Sequence, residues 1–268
     1  MLAAALGLLI GLLLALTGAG GGILAVPLLI FALDWDVAHA GPVALFAVGA
    51  SAAVGTYLGL RAGIVRYRAA FLIAGSGALF TPLGVWLAHR LPAAPLALGF
   101  AAVLLHVALR LFRQASAQLR GEATDAPDAT ACRLDQGTGR FRWTARCART
   151  LMSTGALTGL MSGLLGVGGG FVIVPALRRS TDLPMNAIVA SSLMAIALIS
   201  GAAVFSSALA GHLQWQVALP FAGGAIAGML GGRALAARLA GPRLQQGFAV
   251  VSALVALGLI TRTLLDRS

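Results

Sequence analysis

Long uncharged stretches, separated by shorter polar connections, make up the hydropathy pattern of the chain. Seven stretches contain no Asp, Glu, Lys or Arg: residues 1–33, 41–60, 69–89, 91–109, 150–177, 183–232 and 244–261. A bilayer core about 30 Å thick needs about 20 apolar residues per helix. Strands of a membrane barrel would instead alternate in short segments between turns. The pattern therefore predicts an all-α polytopic membrane protein with most of its chain in lipid.

Composition and charge agree with this class. Of the 268 residues, 59% are hydrophobic and 10% are charged, whereas an ordinary soluble domain has about 25% charged residues. The net charge of +11 comes from arginines at the ends of the apolar stretches. This placement favours contact with anionic lipid on one membrane face over nucleic-acid binding. Cys132 and Cys147 lie outside these stretches without metal-ligand spacing, and we expect a surface pair or two free thiols.

The chain matches itself when residue n is aligned with residue n+148. The matched anchors are Gly18/Gly166, Gly20/Gly168, Gly21/Gly169, Gly22/Gly170, Val26/Val174, Pro27/Pro175, Leu29/Leu177 and Asp34/Asp182. A shared GxGGG followed by Pro and Asp at equal spacing indicates an internal duplication. We therefore predict a first transmembrane repeat at 1–113, a polar inter-repeat linker at 114–149 and a second repeat at 150–268. Each repeat has a glycine-broken first segment and three transmembrane helices.

The arginine distribution bears on how the two repeats are oriented. If the glycine segments cross the membrane fully, the eight spans separate the arginines 13 against 6. If each glycine segment is re-entrant, each repeat has three crossings and the separation is 16 against 3. The positive-inside rule favours the second layout, in which the repeats are inverted. Eight plain spans are the alternative.

The glycine clusters are the strongest candidates for function. Consecutive glycines can unwind a helix, and the half-helix that follows presents unpaired N–H groups and the positive end of its dipole at mid-membrane. Such an end is an anion site made of backbone. The candidate amides belong to Gly18, Gly20, Gly21, Gly22, Gly166, Gly168, Gly169 and Gly170. Pro27 and Pro175 are predicted hinges in the half-helices. The small-residue rows at 155, 159 and 163 and at 224, 228 and 232 are interpreted as packing positions.

Few polar side chains are available beside these clusters. Thr17 and Ser162 are the hydroxyls nearest the two breaks, and Asn186, Ser191 and Ser192 open the next apolar stretch. We predict all five as substrate contacts, although local hydrogen bonding or helix capping would account for the last three. Asp34 and Asp182 are interpreted as residues that end helices, with proton coupling as the alternative. His106 is interpreted as a packed histidine, with proton relay as the alternative.

The sequence motifs give no support for an enzyme activity. The chain has no HExxH, no GxSxG and no cysteine nucleophile inside an apolar stretch. Neither glycine cluster is a complete dinucleotide-binding GxGxxG motif, because the third glycine would fall on Ile23 or Phe171. No ATP-binding loop is present, so transport would depend on an ion gradient or the membrane potential. We predict no catalytic residues, no metal and no cofactor.

The glycine motif and its repeat resemble the TauE/SafE family of bacterial membrane anion permeases. The likeness is carried by GLLLALTGAGGGILAVPLL (11–29), GLMSGLLGVGGGFVIVPAL (159–177) and NAIVASSLMAI (186–196), and it covers both halves. The resemblance implies transport of small sulfur-containing anions such as sulfite, thiosulfate or sulfonates. Two features depart from the expected symmetry. Val43 and Ala44 stand where the second half has Ser191 and Ser192, and the linker is long and charged.

The sequence thus predicts a secondary transporter of small anions in a bacterial inner membrane. Its expected mechanism is alternating access around a midplane site of glycine-rich half-helix ends. The expected partners are a sulfur-containing inorganic or organic anion and the lipid bilayer, while a coupling ion and an oligomeric state are left open. A passive anion channel and a membrane scaffold without transport are the alternatives.

Overall fold

The computed structural model describes residues 2–17, 21–120, 132, 144–211, 213–239 and 241–265. Its helices are α1 (Leu2–Thr17), α2 (Gly21–Leu33), α3 (Val37–Arg61), α4 (Tyr67–Arg90), α5 (Ala93–Leu119), α6 (Ala145–Leu165), α7 (Gly170–Ser180), α8 (Met185–Leu209), α9 (Trp215–Leu239) and α10 (Pro242–Leu265). The only extended pairing among these residues is an isolated bridge between Cys132 and Thr181. The prediction of an all-α fold is confirmed.

Six of the described helices are long and apolar enough to cross a membrane: α3, α4, α5, α8, α9 and α10. Two of them carry aromatic and arginine pairs at their ends. The Arg61 guanidinium lies 4.7 Å from the centre of the Tyr57 ring, and that of Arg90 lies 4.8 Å from the Trp86 ring. Such pairs are typical of the membrane–water interface. The prediction of a polytopic membrane protein is confirmed.

The two halves of the chain contain the same helices in the same order. Adding 148 to the bounds of α3, 37 and 61, gives the bounds of α8, 185 and 209. Helices of one half pack mainly on helices of the other: α1 on α9, α6 on α4, α3 on α8 and α5 on α10. If each helix is replaced by its equivalent in the other half, the same four packing pairs result.

The small-residue rows lie where the halves pack most closely. A Cβ added at Gly159 of α6 would lie 2.0 Å from the carbonyl oxygen of Gly77 in α4. A Cβ at Gly228 of α9 would lie 2.1 Å from the carbonyl oxygen of Leu8 in α1. Only a residue without a side chain allows backbones to approach this closely. The packing interpretation of these rows is confirmed.

Helices α6 and α7 form an antiparallel hairpin. A Cβ added at Gly169, just before α7, would lie 2.1 Å from Thr158 Cγ2 in α6. At the other end, Cys132 is disulfide-bonded to Cys147 near the start of α6, and its N–H donates to the Ser180 carbonyl at the end of α7 (2.8 Å). The chain therefore returns to the end of the hairpin at which it entered. With three spans per half, the inverted arrangement of the repeats stays a prediction.

The structure differs from the sequence predictions in the linker. The cysteines form a disulfide and both are buried, whereas a surface pair was one of two expectations. Helix α5 runs to Leu119 and α6 begins at Ala145, so both helices extend into the linker predicted at 114–149. Gln, Ala, Leu and Arg are good helix formers, and they continue a helix beyond its apolar stretch.

Candidate functional site

The second glycine cluster breaks the helix between α6 and α7. Gly166, Gly168 and Gly169 have φ of 73°, 70° and 70°, in the left-handed region that favours glycine. Gly166 ends α6 by donating its N–H to the Ser162 carbonyl (2.9 Å). Gly169 is the N-cap of α7, and no side chain caps this helix. The first amides of α7 are therefore open to another acceptor.

The first break differs from the second in its cap. Helix α2 begins at Gly21, whose N–H donates to Thr17 Oγ1 (3.1 Å). The same hydroxyl donates to the Leu13 carbonyl (2.7 Å). The equivalent of Thr17 in the second half is Leu165, which has no hydroxyl. The predicted site residues Gly18 and Gly20 lie outside the described residues.

The two breaks meet inside the bundle. A Cβ added at Gly22 of α2 would lie 2.9 Å from the carbonyl oxygen of Val167 and 3.3 Å from Val48 Cγ1. A Cβ at Gly168 would lie 2.9 Å from the same Val48 atom. Helix α7 has 11 residues, which rise about 16 Å, or about half of a 30 Å bilayer core. The meeting point of the breaks therefore lies about this distance from the far end of α7 at Ser180.

Buried hydroxyls without hydrogen-bond partners surround the second break. They belong to Thr158 and Ser162 of α6 and Ser200 of α8, all fully buried. A Cβ at Gly168 would lie 3.3 Å from Ser200 Oγ. A buried hydroxyl without a partner costs about 1–3 kcal/mol, so each such group calls for an explanation such as an ordered water, a bound ion or a functional role.

Sequence reasoning found Ser162 but missed Thr158 and Ser200. The internal repeat carried a usable signal, because their equivalents in the first half are Ile10 and Ala52. Ser162 likewise corresponds to Leu14. The first half therefore has apolar residues at all three positions where the second half has these hydroxyls.

The other predicted polar contacts bond elsewhere. Ser191 Oγ accepts the N–H of Arg66 (2.8 Å), at the start of α4. Ser192 donates to the carbonyl of Ile188 in its own helix (2.7 Å). Asn186 is exposed, and its Oδ1 accepts the N–H of Ala187 (2.9 Å). Ser200, rather than Ser191 or Ser192, lies beside the break. It follows Ser192 by about two turns of α8, and this rise brings the helix to the level of the break.

The two predicted hinge prolines lie inside helices, Asp34 lies at a helix end and His106 lies at the wall of a cavity. Pro27 lies inside α2 and Pro175 inside α7, and both helices continue past the proline. Asp34 follows α2 with a positive φ of 59° and forms an ion pair with Arg262 of α10. Asp34 therefore lies at a helix end, as interpreted from the sequence. His106 of α5 lines a cavity rather than lying in a closed core.

That cavity, of about 80 Å³, lies beside the breaks and between α5, α7 and α10. Thr17 and Gly170, one from each break, border it. Its other polar lining groups are His106, Arg110 and Gln114 of α5, Arg178 of α7 and Gln245 of α10. No carboxylate lies among its lining residues. The cavity is therefore electropositive and has room for a small anion.

Membrane-length helices packed around two broken helices are typical of a polytopic transporter fold. The sequence model of the family "Sulfite exporter TauE/SafE" matches residues 3–259. The chain belongs to this family, as its glycine motifs predicted.

Relatives with assigned descriptions agree with the transporter class. The chain is 32% identical over 264 residues to a "Probable membrane transporter protein" of Xylella fastidiosa strain Temecula1, covering 95% of this chain and 92% of the relative. It is 26% identical over 230 residues to the "Probable membrane transporter protein YunE" of Bacillus subtilis strain 168, covering 82% of each. No solved structure matches the chain. The protein is a membrane transporter of the TauE/SafE type.

Proposed function

We propose that the protein is a secondary transporter of small sulfur-containing oxyanions or organosulfonates in a bacterial inner membrane. The observation that carries this proposal is the uncapped start of α7 beside the three unpartnered hydroxyls of Thr158, Ser162 and Ser200. An anion at this point would accept hydrogen bonds from backbone N–H and side-chain O–H groups. Such bonds to a charged group are about twice as strong as neutral ones.

Neutral donors suit a site that must also be empty during the transport cycle. An arginine at mid-membrane would cost at least about 2.5–3.5 kcal/mol when no anion is bound. Amides and hydroxyls carry no net charge, so the unoccupied site costs much less. The site therefore stabilises an anion without holding an unpaired cation in the lipid.

Alternating access is supported by two cavities in equivalent positions of the halves. A second cavity, of about 280 Å³, lies between the end of α2, the start of α3, α5 and α10. Lining residues of the two cavities that are related by 148 positions are Ile30/Arg178, Val37/Met185, Ala97/Gln245, Leu259/Leu111 and Arg262/Gln114. In an inverted pair of repeats, these cavities open to opposite faces of the membrane.

The ion pair between Arg262 and Asp34 is expected to hold the second cavity closed. It links α10 to the end of α2, and Arg262 Nη1 also donates to the Ile30 carbonyl (3.3 Å). An exposed pair contributes up to about 1 kcal/mol, so Arg262→Gln should raise the open population about fivefold or less. The measurement is the labelling rate of an Ala97→Cys probe by a membrane-impermeant maleimide.

Arg90→Gln is the matched control, because it removes a cation that stacks on Trp86 near the start of α5. An unchanged labelling rate in Arg262→Gln, or an equal increase in both variants, would exclude this role for the ion pair.

A flux panel in proteoliposomes tests the proposed function. Labelled sulfite, thiosulfate, an organosulfonate and a dicarboxylate are offered with and without a pH gradient and a membrane potential. We expect saturable uptake and counterflow for the sulfur anions. Currents far above carrier rates would indicate a passive channel, and the absence of both flux and binding would indicate a scaffold.

A further inference from the structure

Arg110 and Arg178 form a second charged feature outside the helix breaks. Both line the 80 Å³ cavity that Thr17 and Gly170 border at its inner end. Arg178 follows Gly170 by eight residues along α7, a rise of about 12 Å. The arginines therefore lie well outside the break, on the path from the break to the surface.

We propose that this cavity is a separate binding site for a small free oxyanion of charge −2, occupied before the anion reaches the break. The proposal rests on the proposed transport function, because it supplies the waiting site of that pathway. Two arginines line a cavity of about 80 Å³, so a doubly charged anion would balance their charge. Gln114 and Gln245 add amide donors to the same lining.

Guanidinium groups suit this ligand chemically. Their planar fork of N–H donors binds oxyanions through paired hydrogen bonds. Without an anion, two cations would face one cavity among lining residues that include no carboxylate. Arg110 and His106 also line an adjacent cavity together with Arg146 and Arg179. An anion in the cavity would offset this concentration of positive charge.

The internal repeat shows that the fold itself does not require these charges. The equivalents of Arg110, Arg178 and His106 in the other half are Gly258, Ile30 and Leu254. The same packing positions are therefore filled by residues without charge in one half and by cationic or titratable ones in the other. Stabilisation of the α7 dipole by Arg178 would not explain Arg110, which belongs to α5.

An anionic lipid headgroup is the competing occupant. Arg110 directly follows the apolar stretch 91–109, so its side chain lies at a level that a headgroup can reach. The cavity continues from there to Gly170 at the break. A headgroup stays near the membrane surface, so the inner part of the cavity suits a small free ion.

Sulfate and nitrate binding to the purified full-length chain tests the proposal. The protein is placed in phosphatidylcholine nanodiscs, and binding is measured by calorimetry. Arg110→Gln and Arg178→Gln should each raise the Kd for sulfate about tenfold or more, with a smaller effect on nitrate. Arg90→Gln, which removes one positive charge elsewhere, should leave the Kd for sulfate unchanged.

Three outcomes would overturn the proposal. One is an unchanged sulfate Kd in both arginine variants. Another is equal weakening of sulfate and nitrate binding. The third is loss of sulfate binding in discs that contain phosphatidylglycerol, with a tightly held lipid that is released by Arg110→Gln, since this would assign the site to a headgroup.

Failure of the waiting site and failure of the transport function give different results. If sulfate binds in an Arg110-dependent way but no anion is transported, the waiting site stands and the transport proposal falls. If sulfur anions are transported while the arginine variants bind sulfate normally, only the waiting site falls.

Discussion

Replacing Gly169 with alanine is expected to lower the rate of anion transport about 100-fold, because displacing a binding group by about 1 Å costs this much. The added methyl would lie 2.1 Å from Thr158 Cγ2, where ordinary contact begins at 3.4 Å. Gly169 also has a φ of 70°, which costs other residues about 1–2 kcal/mol. The start of α7 must therefore move. The measurement is the initial rate of thiosulfate uptake into proteoliposomes.

A second substitution separates the steric contact from the backbone strain. Thr158→Ser removes Cγ2 and keeps the hydroxyl, so adding it to Gly169→Ala should restore part of the rate. The control is Gly201→Ala in α8, where an added Cβ meets nothing within 4 Å. Normal transport by Gly169→Ala would mean that the geometry of the break has no role in transport.

Replacing Ser200 with alanine is expected to weaken anion binding and to stabilise the protein at the same time. Loss of one hydrogen bond to an anion costs about 1.5–3 kcal/mol, which raises the Kd or KM about tenfold or more. Ser200 Oγ is fully buried and has no partner in the protein. Its removal should therefore raise the free energy of unfolding by about 1 kcal/mol. Uptake kinetics and thermal unfolding in detergent measure the two effects.

Ser192→Ala is the matched control on the same helix. Ser192 is equally buried, but its hydroxyl is bonded to the Ile188 carbonyl. This variant should transport normally and gain no stability. If Ser192→Ala impaired transport and Ser200→Ala did not, the substrate would lie nearer the start of α8, where the sequence placed it.

The glycine motif made the break predictable because it acts through local backbone conformation. Residues 166, 168 and 169 adopt left-handed φ values that glycine tolerates, and the equal spacing in both halves identified the motif twice. The rows at 155, 159 and 163 were predictable for a similar reason, since small residues at this spacing allow close helix packing.

The choice of hydroxyl could not be predicted, because it depends on contacts between distant segments. Ser191 lies in α8, the helix that follows α7, yet its hydroxyl accepts the N–H of Arg66, 125 residues away. In the sequence, Ser200 does not differ from the other small residues of its apolar helix. Only its contact with Gly168 in the folded protein distinguishes it from them. The same holds for Arg110 and Arg178, which belong to different halves and share one cavity.

The sequence by itself determined the membrane class, the helical content, the family and the positions of the glycine motifs. These properties follow from hydrophobic length and from residues that act on their own backbone. Only the tertiary structure decided which hydroxyls are left without partners, which arginines face one cavity and how the cysteines pair. Those properties depend on the distance between segments far apart in the chain, and helix packing fixes that distance.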